Sequence, residues 1–221
     1  MLNPSTFKFL KDLHKHNDRE WFEKNKGRYE VAKEDFHQFT EKVLTELSKV
    51  DKRLAGLEVK NCVYRIYRDV RFSKDKTPYK TSFSASVNEG GRKSDNAGFY
   101  FQIDPVSDWG CIIAGGKWMP DAPKLKAIRQ EIEYHKDEFK KIRGGKGFKK
   151  WFGALEDQKL KSAPKGYDKN DPDIELYKYT SYIVSFGLEE KDYYSKTILK
   201  KFTDSYKAML PLLDFLNRAD A

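Results

Sequence analysis

The chain has 221 residues, 38% of them hydrophobic and 14% aromatic, which is enough apolar material for one domain core of ordinary size. Although 35% are charged and the mean hydropathy is -0.82, the 4 Trp, 13 Tyr and 15 Phe exclude a disordered chain. A net charge of +9 points to anionic partners, while apolar runs too short for a bilayer and the absence of a secretory pattern over residues 1–6 predict a cytoplasmic protein without a membrane segment.

Asn3 followed by Pro4 reads as a helix cap with proline at the first helical position, and Phe7, Leu10 and Leu13 continue a helical face. Asn17 or Asp18 restarts a helix, and from Tyr29 the residues Ala32, Phe36, Phe39, Val43, Leu47 and Val50 step by three or four, as a long amphipathic helix requires. From Cys62 the period becomes two. "CVYRIYR" predicts a first strand, and Tyr79, Thr81, Phe83, Ala85 and Val87 alternate with polar residues in a second. Phe99, Phe101 and Ile103 mark a third strand and "GCIIAGG" a fourth, the four together forming an antiparallel meander.

Asp121 and Pro123 open a helix with the stripe Leu125, Ile128, Ile132, His135, Phe139 and Ile142, stopped by Gly144 and Gly145. A polar loop, a fifth strand at "YIVSFGL" and a helix through Ile198, Phe202, Tyr206 and Met209 follow, the last to be ended or kinked by Pro211. The predicted class is α+β, one domain over 1–221, with a central, mainly antiparallel sheet of about five strands flanked by N-terminal and C-terminal helices. Cys62 and Cys111 fall in apolar surroundings and are expected to be buried, unbridged thiols.

The chemistry concentrates in "YRIYRDVRFSKDKTPYKTS". Arg65, Arg68, Arg71, Lys74, Lys76 and Lys80 stand there against Asp69 and Asp75 alone. Strand alternation puts Arg65 and Arg68 on opposite faces, but Arg68, Arg71, Lys74, Lys76 and Lys80 can converge around the connecting loop. With Ser73, Thr77 and backbone amides beside guanidinium forks, such a loop suits phosphate or carboxylate. It lacks the glycine frame of a Walker loop. The competing reading is a solvated edge on which Asp69 and Asp75 pair with the neighbouring arginines.

In "AGGKWMPD", two glycines allow close backbone approach to a ligand beside Lys117 and Trp118, or else make a bulge and turn. "KKIRGGKGFKKWF" interleaves cations with Phe148, Trp151 and Phe152, yet the aromatic spacing is that of one core-facing helix stripe, which makes it a weak nucleic-acid signature. His14, His16, His37 and His135 have no metal-ligand spacing, so no metal site is expected. If bonds are broken, Asp69 and Glu20 are the acid/base candidates.

"RIYRDVRFSKDKTPYKT", with "NDREWF", "AGGKWMP" and "PKGY", resembles the uncharacterised family called domain of unknown function 2461 over nearly the whole chain. The resemblance implies no activity, cofactor or catalytic residue. The residues themselves predict binding of a phosphate-bearing small molecule or other anion at Arg65, Arg68, Arg71, Lys74, Lys76, Lys80, Lys117 and Trp118. The alternatives are an enzyme acting on a phosphorylated or carboxylated substrate, a nucleic-acid binder, and an interaction module whose charges only solubilise it.

Overall fold

The computed structural model describes residues 1–219. The Asn3 side chain accepts from the Ser5 amide at 2.9 Å, so α1 (Pro4–Lys15) starts at the proline as its missing N–H allows. Asp18 caps α2 (Arg19–Lys24) by accepting from the Trp21 amide. In α3 (Lys26–Val50) the residues Tyr29, Ala32, Phe36, Phe39, Val43 and Leu47 of the predicted stripe are buried, while Val50 at the helix end is only half-buried. A single turn, α4 (Val59–Cys62), precedes the sheet.

The sheet is antiparallel and has four strands in the order β1 (Phe83–Val87), β2 (Gly98–Ile103), β3 (Cys111–Lys117) and β4 (Tyr182–Leu188). Five strands are expected from the sequence; the one that fails to form is the first. Cys62 belongs to α4, and the rest of that run makes only isolated bridges, Val63 with Ala85 and Tyr67 with Tyr79. The ladder breaks because its two arms are of unequal length. The Tyr64 amide donates to the Ser84 carbonyl and the Lys80 amide to that of Ile66, so two residues on one arm face four on the other. The chain therefore bulges at Thr81 and Ser82, and the half-buried strand predicted from Tyr79 begins instead at Phe83.

The helix predicted from Asp121 to Gly144 is divided. After α5 (Ala122–Tyr134), His135 leaves helical geometry (φ -122°, ψ 40°) and is exposed rather than part of a buried stripe. Asp137 and Glu138 then occupy the first turn of α6 (Lys136–Gly144), where the helix dipole favours acids. Next come α7 (Lys146–Phe152) and α8 (Ile174–Tyr177), then α9 (Ile198–Arg218), which continues through Pro211 instead of ending there. A proline inside a helix costs about 3 kcal/mol, whereas burying one large apolar side chain gains about 1.5–3 kcal/mol. Leu212, Leu213, Phe215 and Leu216, all buried, lie just beyond it and outweigh that cost.

The chain divides into two compact units, with β2, β3, β4 and α9 contributing residues to each. The first comprises residues 1–94, 100–113 and 187–204. Its core is aromatic: Phe36 stacks on Phe83 with centroids 5.4 Å apart, and Phe39 meets Phe202 edge-on at 5.4 Å. The second comprises 95–99, 114–186 and the stretch from 205 onward, and is built on Phe99 against Tyr206 (5.5 Å) and Phe139 against Phe215 (5.1 Å). Cys62 and Cys111 are buried free thiols. No helix among the described residues is long and apolar enough to cross a membrane.

Candidate functional site

The basic segment is held by a contact 62 residues away in sequence. The Asn17 side-chain amide donates to the Tyr79 carbonyl at 2.9 Å and accepts from the Tyr79 amide at 3.1 Å, replacing a neighbour strand on the side of Tyr79 that faces away from Tyr67. Phe22, fully buried, stacks on the Tyr79 ring at 3.9 Å and 11°. "NDREWF" is thereby explained without chemistry: Asn17 pins the backbone, Asp18 caps α2 and Phe22 packs under Tyr79. Because side chains alternate along an extended chain, fixing Tyr79 inward turns Lys80 to the opposite face.

Two arginines of the segment are committed to carboxylates. Arg68 meets Asp75 and the Thr77 hydroxyl, and also donates to the Thr77 carbonyl at 3.2 Å. The Thr77 amide donates back to Asp75 at 2.9 Å, and these bonds hold the Asp75 carboxyl down at about 2, the backbone amide first among the causes. Arg71 forks onto Asp69 at 3.0 and 2.7 Å, which lowers the Asp69 pKa. Lys76 donates to the Val70 carbonyl at 3.0 Å, and Lys74 is exposed to solvent.

Arg65 and Lys80 behave differently. Among the described residues neither has a carboxylate within ion-pair distance. Arg65 is exposed, whereas Lys80 is half-buried with its Nζ 5.4 Å from the centre of the Tyr64 ring. Burial, and then the charge of Arg65, lower the Lys80 pKa. Beside them the sheet is polar on this face: Tyr64 lies edge-on to Tyr100 at 6.4 Å, and the Tyr100 hydroxyl donates to Gln102 at 2.8 Å. Gln102 in turn donates to the Gly110 carbonyl at 3.0 Å. Sequence reasoning missed Tyr64, Tyr100 and Asn17; only Tyr64 sat inside the stretch that drew attention.

Both acid/base candidates are held by a cation. Glu20 is 80% exposed and paired with Lys24 at 2.7 Å, one turn along its own helix. Asp69, held ionised by Arg71, is an acceptor with no proton to give near neutrality.

Lys117 and Trp118 belong to the second unit. Lys117 is only 6% exposed and donates to the Asp95 carbonyl, while Trp118 stands in solvent. The glycines before them are filled from within: a Cβ at Gly115 would lie 2.2 Å from the Met209 sulfur, and one at Gly116 (φ 116°) only 2.1 Å from the Tyr182 carbonyl oxygen. Phe148 is buried, Trp151 packs edge-on to Phe186 at 5.1 Å and Phe152 packs on Phe148 at 5.7 Å, so these rings are turned into the protein. A shallow cleft of about 440 Å³ lies elsewhere, lined by Ser5, Lys8, Asp12, Gly27, Arg28 and Val31, none of them a residue singled out from sequence. The described residues gather no metal-holding group of three His, Cys, Asp or Glu side chains.

No curated protein and no solved structure matches the chain. The model of one family, described as "Conserved hypothetical protein (DUF2461)", matches residues 5–215, nearly the whole chain, and the chain therefore belongs to that family.

Proposed function

We propose that the protein binds a phosphate-bearing small molecule or another small anion on the polar face of its sheet, with Arg65 and Lys80 as the charged contacts and Tyr64 as the wall beside them. One observation carries this reading: in a segment where Arg68 and Arg71 each hold a carboxylate, the half-buried Lys80 holds none and has another cation for a neighbour. A half-buried cation that feels a second positive charge and holds no carboxylate is unfavourable in the free protein, and an anion relieves it; Arg65 for its part also acts on Asp69. Arg68 and Arg71 shape the loop in this account, and their ion pairs leave them supporting roles.

The test is thermal unfolding in phosphate against chloride at matched ionic strength. A ligand at a hundredfold excess over its Kd stabilises by about 2.7 kcal/mol. Lys80→Met is expected to melt slightly above the native protein in chloride and to lose most of the phosphate gain, while Arg71→Ala keeps it. A Lys80→Met protein that gains as much from phosphate as the native chain overturns the proposal.

A further inference from the structure

Four arginines among the described residues are half-buried: Arg68, Arg92, Arg129 and Arg143. Three have acceptors. Arg68 bonds Asp75 and Thr77, Arg92 the Lys60 carbonyl, and Arg129 the carbonyls of Tyr177 and Tyr179 at 2.7 and 3.1 Å. Arg143, in the last turn of α6, donates to no acceptor among the described residues, and its Nε is buried without a partner among them. A buried guanidinium N–H without an acceptor costs free energy that the fold must have a reason to bear.

The surroundings hold this guanidinium in place. Its central carbon lies 5.7 Å from the Phe139 ring and 5.8 Å from the Tyr179 ring. Phe139 is fully buried, and Tyr179 is fixed because Arg129 grips its carbonyl and because it pairs across a short ladder with Lys159. The Lys159 ammonium sits 4.8 Å from the same Tyr179 ring. The nearby lysines have their own counter-ions: Lys140 meets Asp173 at 2.6 Å, and Lys159 meets Glu175 at 3.3 Å. Among the described residues Arg143 holds no carboxylate, and its planar fork is braced by two aromatic rings.

We infer that Arg143 is the anchor of an oxyanion site in the second unit, separate in its residues from Arg65 and Lys80, and that its ligand is a carboxylate. One guanidinium supplies one charge and, through its two Nη groups, two parallel donors, which matches a planar two-oxygen group. The site rests on different residues from the phosphate reading above, and either can fail without the other.

Titration of the native protein with acetate against chloride at constant ionic strength, followed by the arginine Nε–H resonances, tests it. Acetate is expected to shift the Arg143 resonance along a saturating curve. Loss of one charge-assisted fork weakens binding about tenfold or more, so Arg143→Gln should abolish the acetate-dependent rise in melting temperature, and Arg143→Lys should keep only part of it. Lys80→Met should leave it intact. Should Arg143→Gln fold poorly, the native titration decides alone: an Arg143 resonance that acetate leaves unmoved, or moves linearly without saturation, overturns the assignment, as does a saturable response to phosphate only.

Discussion

In residues 65–80 the backbone makes a loose, bulged ladder and the side chains carry the organisation, through Asp69 with Arg71 and Asp75 with Arg68 and Thr77. In residues 114–118 the backbone is the organising element, so tightly packed at Gly115 and Gly116 that no Cβ fits. Both regions combine cations with residues that invite ligand chemistry. They differ in whether protein atoms already fill the space. Glycine beside lysine signals an open approach to a ligand only where a neighbouring strand or helix has not taken that approach, and here the Tyr182 carbonyl and Met209 have.

The hardest test of this contrast is Gly116→Ala. Backbone strain at φ 116° and overlap with the Tyr182 oxygen together predict a loss of about 3 kcal/mol or more in chemical denaturation. An alanine tolerated there would mean that the space is open after all. Next in size is Asn17→Ala, which removes both bonds to the Tyr79 backbone. A loss of about 1–3 kcal/mol is expected, together with faster amide exchange at Tyr79 and Lys80. Unchanged exchange would show that the loop holds itself without Asn17.

The smallest effect concerns acid. Asp75 titrates at about 2 in the folded chain against an ordinary 3.8, so the unfolded state binds the proton more readily. Its contribution to stability is complete above about pH 5 and is lost as the pH falls through 3.8 toward 2. The carboxyl carbon of Asp75 should show that low midpoint by NMR, and Asp75→Asn should flatten this part of the acid-stability curve. A midpoint near 3.8 would dissolve the contrast, since the loop would then lack its internal bonds.

Periodicity carried the fold where one face is buried throughout. Every apolar position from Tyr29 to Leu47 named for the α3 stripe is buried, because a 25-residue helix with one wet face can satisfy only that register. Periodicity failed where a distant partner or a local count decided the outcome. The alternation in "CVYRIYR" is genuine, but a bulge on the opposing arm, which nothing in "CVYRIYR" itself reveals, prevents a continuous strand. Pro211 reads as a stop or a kink, and the buried residues beyond it decide against the stop. At the candidate site, the pairing of Asp69 and Asp75 with arginines was legible because the partners lie within a few residues. The grip of Asn17 on Tyr79 was not, since it joins segments 62 residues apart.

The first unit is also closed by partners from far apart in the chain. The Leu2 amide donates to the Tyr193 carbonyl at 3.0 Å, Lys11 pairs with Glu190 at 2.6 Å, and Phe7 packs on Tyr193 at 5.7 Å. During synthesis at about 5–20 residues per second, α1 must wait roughly 10–40 s before the segment that covers Phe7 exists. For that interval α3 can already pack on α1 and Phe9 can meet Trp21 and Tyr29, but Phe7 lacks Tyr193 and Tyr194, and this patch is the part of α1 on which a holdase would be expected to act.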